Sequence, residues 1–185
     1  YNALLYDTNS QRRWDIMDKK ILDLLNLQVN KELYSAYLYQ DIANYYLSAN
    51  LNGFGNWFTV QVQEELAHVK LFMQFIQNNS EIVKLEAIAK PDKTFNDFLQ
   101  PLETSLEHEK YVTDSIHNIY DAAQNLKDFR TIQFLDWFIK EQGEEEKNAD
   151  ELIQKYKLFG TDGKGLYMLD SELAARVYTP PSLVL

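Results

Sequence analysis

Cysteine is absent from the 185-residue sequence, which excludes disulfides, thiolate zinc sites and iron–sulfur clusters. The same lack fits a reducing compartment, so a cytoplasmic location is the expectation. No apolar run approaches the roughly 18 residues of a membrane span, and no membrane partner is expected. Positive charge is scarce: 18 Lys and Arg stand against 28 Asp and Glu, leaving a net charge of −10 and a pI near 4.7. Nucleic acid and anionic surfaces are therefore poor partners. Only 6 glycines and 4 prolines punctuate the chain, and nothing alternates as a strand would. Apolar residues, by contrast, make up 45% of the chain and aromatics 14%, enough for one domain with a substantial core. Residues 1–16 lack an apolar h-region and a cleavage site, so they read as an N-terminal extension of unknown role and not as a signal peptide; the domain is expected over 17–185.

Helical periodicity organises the remainder. Residues 19–46 place apolar side chains at Leu22, Leu25, Val29, Ala36, Ala43 and Tyr46 without Gly or Pro, which predicts a helix about 42 Å long. A polar turn over 48–53 leads to an antiparallel second helix from about residue 54 to residue 80. Residues 81–93 lose the stripe and contain Pro91; extended at about 3.3 Å each they span about 43 Å, one helix length, and can carry the chain back along the bundle. Thr94 and Asp97 resemble a capping box opening a third helix, with the stripe Phe98, Leu102, Val112, Ile116, Ile119 and Ala123. Asp128 is a candidate N-cap for a fourth, with Leu135, Phe138, Ala149, Leu152 and Tyr156. Gly160, Gly163 and Gly165 break the pattern, and a short fifth helix is expected from Asp170 to about Val177. The fold class is all-α: a four-helix bundle with one long crossover between helices two and three plus a short fifth helix.

Each long stripe is interrupted by one acid. The second runs Phe58, Val62, Glu65, Val69, Phe72, Ile76, so Glu65 faces the core, and His68 projects from the same face. Glu32 lies between Val29 and Ala36, Glu109 between Leu102 and Val112, and Glu145 between Phe138 and Ala149. Counted from the end holding the first turn, these four lie about 11 to 14 residues along their helices, a spread of roughly 4.5 Å in rise. A lone Glu in a stripe is usually a boundary residue that reaches solvent, and a lone His is usually a satisfied core residue. Four such acids at one depth beside an imidazole are harder to explain that way. Their negative charges would be neutralised by two divalent cations, and oxygen-rich ligation with one imidazole favours iron or manganese over a structural zinc. Glutamates joined by Glu-x-x-His form the ligand pattern of di-iron carboxylate bundles, although only one Glu-x-x-His is present here.

Five segments carry a resemblance: Asn30-Lys31-Glu32-Leu33-Tyr34-Ser35, Gln63-Glu64-Glu65-Leu66-Ala67-His68, His108-Glu109, Glu141-Gln142-Gly143-Glu144-Glu145-Glu146-Lys147 and Gly163-Lys164-Gly165-Leu166-Tyr167. In order and spacing, from Met17 to about Val177, the chain resembles the ferritin family, specifically its bacterial non-haem type. The resemblance implies a ferritin-like bundle in which Glu32, Glu65 and His68 bind one iron, Glu109 and Glu145 bind a second, and Glu65 bridges them. It implies that Tyr39 is the tyrosine beside the centre, that Gln142 supports the ligands, and that Trp137 is an adjacent aromatic. Glu64, Glu141 and Glu144, with Glu145, would form a third iron site; a solvated acidic face is the competing reading. Leu66 stands where bacterioferritins carry a haem-ligating Met, and Asn148 where they complete a second Glu-x-x-His, so no haem is expected. The lack of cysteine separates the chain from rubrerythrins, and the fifth helix from mini-ferritins. Gly143 stands where some relatives have a histidine, and the tail Ser182 to Leu185 has no counterpart.

By the same resemblance the chain would be a ferroxidase and iron store. Fe(II) would be oxidised in pairs by O2, and Fe(III) kept as hydrated oxide inside a homo-oligomeric shell of about 24 subunits, with the fifth helix at the fourfold axes. Tyr39 would supply or tune an electron, or else is a core tyrosine with a bonded hydroxyl. His108 and His117 are expected on the surface or at an interface. Two other readings use the same residues. One is a di-iron or di-manganese oxidase of an organic substrate, which needs an apolar access pocket; the other is a non-enzymatic bundle whose glutamates bind one structural ion or none.

Overall fold

The computed structural model describes residues 17–185, and the expectation for residues 1–16 lies outside the described residues. The described residues form five helices and no strand: α1 Lys19–Ser48, α2 Asn52–Asn78, α3 Gln100–Leu126, α4 Phe129–Phe159 and α5 Gly163–Leu173. Asp18 opens α1 by accepting a hydrogen bond from the Lys20 amide at 2.8 Å. Asn50, in the left-handed region at φ 60°, turns the chain so that α2 packs back along α1. Residues 81–99 cross the bundle without regular structure, and α3 and α4 form the second packed pair. Lys127 turns at φ 56°, and Asp128 caps α4 by accepting from the Thr131 amide at 3.1 Å. Among the described residues no helix is long and apolar enough to cross a membrane.

Two boundaries differ from the sequence expectation. The third helix begins at Gln100, not Thr94, because α1 holds the intervening segment in an irregular path. Tyr45 Oη and Tyr46 Oη donate to the carbonyls of Asp97 at 3.1 Å and Phe98 at 2.6 Å, and Phe95 packs on the Tyr45 ring at 5.3 Å. The Asp97 carboxylate, accepting from the Leu99 and Gln100 amides at 2.9 Å, does the capping expected of Thr94. The fifth helix spans Gly163–Leu173, one to two turns earlier than Asp170 to Val177. Asp162 caps it through the Lys164 and Gly165 amides at 2.9 and 3.0 Å, and Gly165 serves close approach: a Cβ there would lie 1.9 Å from the Phe159 carbonyl oxygen.

The stripes fill two separate apolar clusters. One gathers Leu25, Val29, Phe72, Ile76, Val112, Ile116, Leu135 and Phe138. The other gathers Ile42, Tyr46, Phe54, Phe58, Leu102, Leu152 and, from α5, Leu169 and Leu173. Each of the four long helices passes from one cluster to the other through a short polar stretch. These stretches supply Glu32 and Ser35, then Gln61, Glu65 and His68, then Ser105, His108 and Glu109, then Gln142 and Glu145, all buried. The bundle therefore contains a polar belt between two apolar cores.

The fifth helix is fastened to the start of α2, whose N-cap Leu51 has no side-chain acceptor. Asp170 Oδ1 takes that place, accepting from the Gly53 and Phe54 amides at 2.7 and 3.0 Å. A Cβ on Gly53 would fall 1.6 Å from the Asp170 carbonyl oxygen. Gly53→Ala is expected to destabilise the fold by about 1–3 kcal/mol through this overlap. Urea unfolding with helix content followed by circular dichroism measures it; an unchanged midpoint would show that α5 is not held there.

Candidate metal centre

The antiparallel packing of α1 on α2 brings three donors to one point: Glu32, Glu65 and His68 offer ligand atoms all within 4.8 Å of one another. The i, i+3 spacing of Glu65 and His68 sets His68 Nδ1 3.6 Å from Glu65 Oε2, and the same nitrogen lies 3.8 Å from Glu32 Oε2. These distances exceed a hydrogen bond but are close to the spacing of neighbouring donors around a shared ion, about 3–3.5 Å for metal–ligand bonds of about 2.1 Å. Gln28 Nε2 donates to Glu32 Oε1 at 2.7 Å, while buried Glu32 Oε2 has no hydrogen-bond partner among the described residues. An unsatisfied buried acceptor costs about 1–3 kcal/mol, more when charged, and a cation answers that cost. The donor set therefore fits a divalent metal.

Glu109 and Glu145 come from α3 and α4 at the same level. Tyr39 Oη donates to Glu109 Oε1, and Gln142 Nε2 donates to Glu109 Oε2 at 3.1 Å. Gln61 Nε2 donates to Glu145 Oε2 at 2.9 Å. Both glutamates line a cavity of about 10 Å³, shared with Tyr39, Gln61 and Ser105, which has room for about one water. Burial pushes the Glu109 carboxyl up to about 8, and the neighbouring Glu145 charge adds to that rise. Burial likewise holds Glu32 and Glu65 well above the usual carboxylate range, reinforced at Glu32 by Glu65 and at Glu65 by Glu109. Glu65 thus sits among the first triad and also feels the second pair.

The acids expected in a third site separate. Glu64 and Glu141 are partly buried on the face between α2 and α4, and the Glu145 charge raises both after burial has done so. Glu64 nonetheless pairs with Arg176, Nη2 to Oε2 at 2.7 Å. Burial wins over that pairing and places its carboxyl near 7. Glu144 is exposed and pairs with Lys140 at 3.2 Å. The Trp137 ring lies edge-on to His68 at 5.7 Å.

The chain matches the family model described as Ferritin-like domain over residues 22–159. It belongs to the ferritin family. The bacterial non-heme ferritin of Campylobacter jejuni is 33% identical over 155 residues, covering 84% of this chain and 93% of that one. That of Staphylococcus saprophyticus is 36% identical over 163 residues, covering 88% and 98%. Among solved structures, an open-pore ferritin from the hyperthermophilic archaeon Archaeoglobus fulgidus is 41% identical with a TM-score of 0.85, covering 87% of this chain and 98% of that one. A closed form of the A. fulgidus ferritin engineered by mutagenesis aligns at a TM-score of 0.86 with 41% identity, covering 89% and 100%.

Within this ferritin bundle several polar residues escaped the sequence reading. His108, expected on the surface or at an interface, is buried: its Nε2 lies 2.8 Å from Ser35 Oγ, and burial pushes it down to about 4. His117 is exposed, as expected. A directed chain of hydrogen bonds leads to Glu32: Lys31 Nζ donates to Ser115 Oγ at 2.6 Å, Ser115 Oγ to Gln28 Oε1 at 2.5 Å, and Gln28 Nε2 to Glu32. One signal for them is in the sequence, since Gln28 and Gln61 each stand one helical turn before a stripe glutamate, on the core-facing side.

The raised carboxyls set a pH dependence. Between the usual value of 4.5 and about 8, Glu109 is protonated in the fold and ionised in the unfolded chain. The folded state then binds more protons, so its stability falls as pH rises, with a slope approaching about 1.4 kcal/mol per pH unit for each such proton. Glu64 acts in the same sense up to about 7. The metal-free protein is therefore expected to lose unfolding midpoint between pH 5 and pH 8 (roughly the window of these shifts), and an added divalent cation to restore more at pH 8 than at pH 5. Denaturant titrations at both pH values, with and without cation, provide the check.

Proposed function

We propose that this chain oxidises Fe(II) with O2 at a paired site inside its own bundle and, as one subunit of a hollow shell, stores the Fe(III) as hydrated oxide. The carrying observation is the polar belt, in which four buried carboxylates and an imidazole share one layer, Glu32, Glu65 and His68 within ligand distance, and one Glu32 oxygen has no partner among the described residues. In this reading Glu32, Glu65 and His68 hold one Fe(II), Glu109 and Glu145 hold the other, and Glu65 lies between them. Each Fe(II) gives up one electron, so a pair supplies two to one O2 and bypasses a free one-electron product. Oxygen donors with a single imidazole bind Fe(II) without trapping Fe(III), as a thiolate cage would.

The protein's own groups have defined tasks. Entry of dications displaces the protons that burial keeps on Glu32, Glu65 and Glu109. Gln28, Gln61 and Gln142 hold one carboxylate each by a single side-chain donor. Tyr39 keeps its proton, since burial and the adjacent Glu109 raise it well above the usual tyrosine range, and it holds Glu109 through that hydrogen. The apolar clusters above and below exclude bulk water. The cavity beside Glu109 and Glu145, about 10 Å³, suits a diatomic gas better than an organic substrate, which disfavours an oxidase of larger molecules.

Storage needs a container. Ile82 and Leu85 on the crossover, Leu158 and Phe159 at the end of α4, and Tyr167 and Met168 on α5 are exposed in the single chain, and in this reading further copies cover them. The working form is a cytoplasmic shell of about 24 subunits without haem, loaded with iron.

Anaerobic Fe(II) loading followed by an O2 pulse is expected to give about two rapidly oxidised Fe(II) per chain, with the fast phase lost in Glu65→Ala and in His68→Ala. An undiminished fast phase in both variants would remove the paired site. Sedimentation is expected to find a species of shell mass; a monomer or dimer would remove storage while leaving the oxidation reading to stand.

A further inference from the structure

Beyond α5 the chain continues without regular structure, lying against α2 and α4. Asn56 of α2 secures its beginning, its side-chain amide shared among the carbonyls of Leu173, Ala174 and Arg176 at 3.2, 3.4 and 2.9 Å. Farther along, Trp137 Nε1 of α4 donates to Ser182 Oγ at 3.1 Å, and Leu183 packs on the apolar cluster that holds Phe138. Between these ties the Arg176 side chain turns toward the belt. Its guanidinium lies 4.0 Å from the Trp57 ring centroid, Nη1 donates to the Trp57 carbonyl at 3.1 Å, and Nη2 donates to Glu64 Oε2 at 2.7 Å. Both partners of that ion pair are largely covered, with side chains 17% and 20% exposed, so solvent screens it weakly.

A guanidinium is always charged, and here its stack, backbone bond and ion pair fix it in place. Glu64 feels the charges of Glu145 and Glu141, so any additional dication held with its help would use the carboxylate that Arg176 already engages. A metal ion and a guanidinium cannot share that oxygen without like-charge repulsion at contact distance. Displacing Arg176 would also break the Trp57 stack and loosen the segment that Asn56 and Trp137 tie down.

We propose that Arg176 is a resident cation beside Glu64, which limits the chain to the paired site and at the same time latches the 176–185 strap across the α2–α4 face. The inference rests on the paired-site reading above, and the experiment tells the two apart. Tightly bound Co(II) is counted per chain by anaerobic equilibrium dialysis of the assembled protein. The wild type and Arg176→Lys are expected to hold two, Arg176→Gln three, and Arg176→Gln combined with Glu64→Gln two again. Limited proteolysis is expected to cut within residues 177–185 faster in Arg176→Gln than in the wild type. Three ions in the wild type, or two in Arg176→Gln whatever the protease finds, would overturn the proposal. A wild-type count that His68→Ala leaves unchanged would instead overturn the paired site itself.

Discussion

Burying four carboxylates in one layer of a helical bundle is the constraint to which the rest of this structure answers. Each ionised group removed from water carries a penalty of several kcal/mol, and like charges at close range add to it. The protein offsets this only in part. Gln28, Gln61 and Gln142 and the Tyr39 hydroxyl supply hydrogen bonds, yet Glu109 still rises to about 8 and Glu32 and Glu65 lie well above the normal range. What the neighbours leave uncompensated is a cost that a bound cation would answer. A fully satisfied belt would make a more stable metal-free bundle and a weaker metal site.

The same belt disciplines the packing. Sliding one helix by a turn, about 5.4 Å, would drive its glutamate into an apolar cluster and set a leucine or phenylalanine among the remaining acids. Both errors are costly, so the polar layer favours one register of four long helices that apolar stripes alone would specify less sharply. The crossover over residues 81–99 makes this possible, since α3 must start at the same end as α2 for the four acids to share a level.

This logic explains what could be read from the sequence. A Glu where a stripe calls for a leucine is visible without coordinates, and Glu32, Glu65, Glu109 and Glu145 stand out in that way, with His68 beside Glu65. Helix ends were less legible because their determinants are remote. Nothing near Thr94 announces that Tyr45 and Tyr46, about 50 residues earlier, tie the segment down outside the helix. Gly165 reads as a breaker because local propensity counts a glycine's flexibility and not the room it leaves for the Phe159 carbonyl. The sequence pattern leaves His108 on the surface or at an interface because neither its burial nor the Ser35 hydroxyl that meets it is visible along α3. Periodicity identifies a face; it does not identify the side chain waiting on the opposite helix.

The C-terminal elements extend the same dependence to the periphery. Three positions among the first five residues of α2 are tied to α5 and its exit: Gly53 and Phe54 through Asp170, and Asn56 through the carbonyls of Leu173, Ala174 and Arg176. Arg176 then reaches Glu64, the residue before Glu65. Whatever orders α5 therefore also orders the cation beside the belt, through hydrogen bonds and not through a flexible linker. The exposed apolar side chains Tyr167 and Met168 lie on that same helix. The seating of α5 and the charge balance at Glu64 are consequently parts of one mechanical unit, and a subunit whose α5 is unseated would lose the positioning of Arg176.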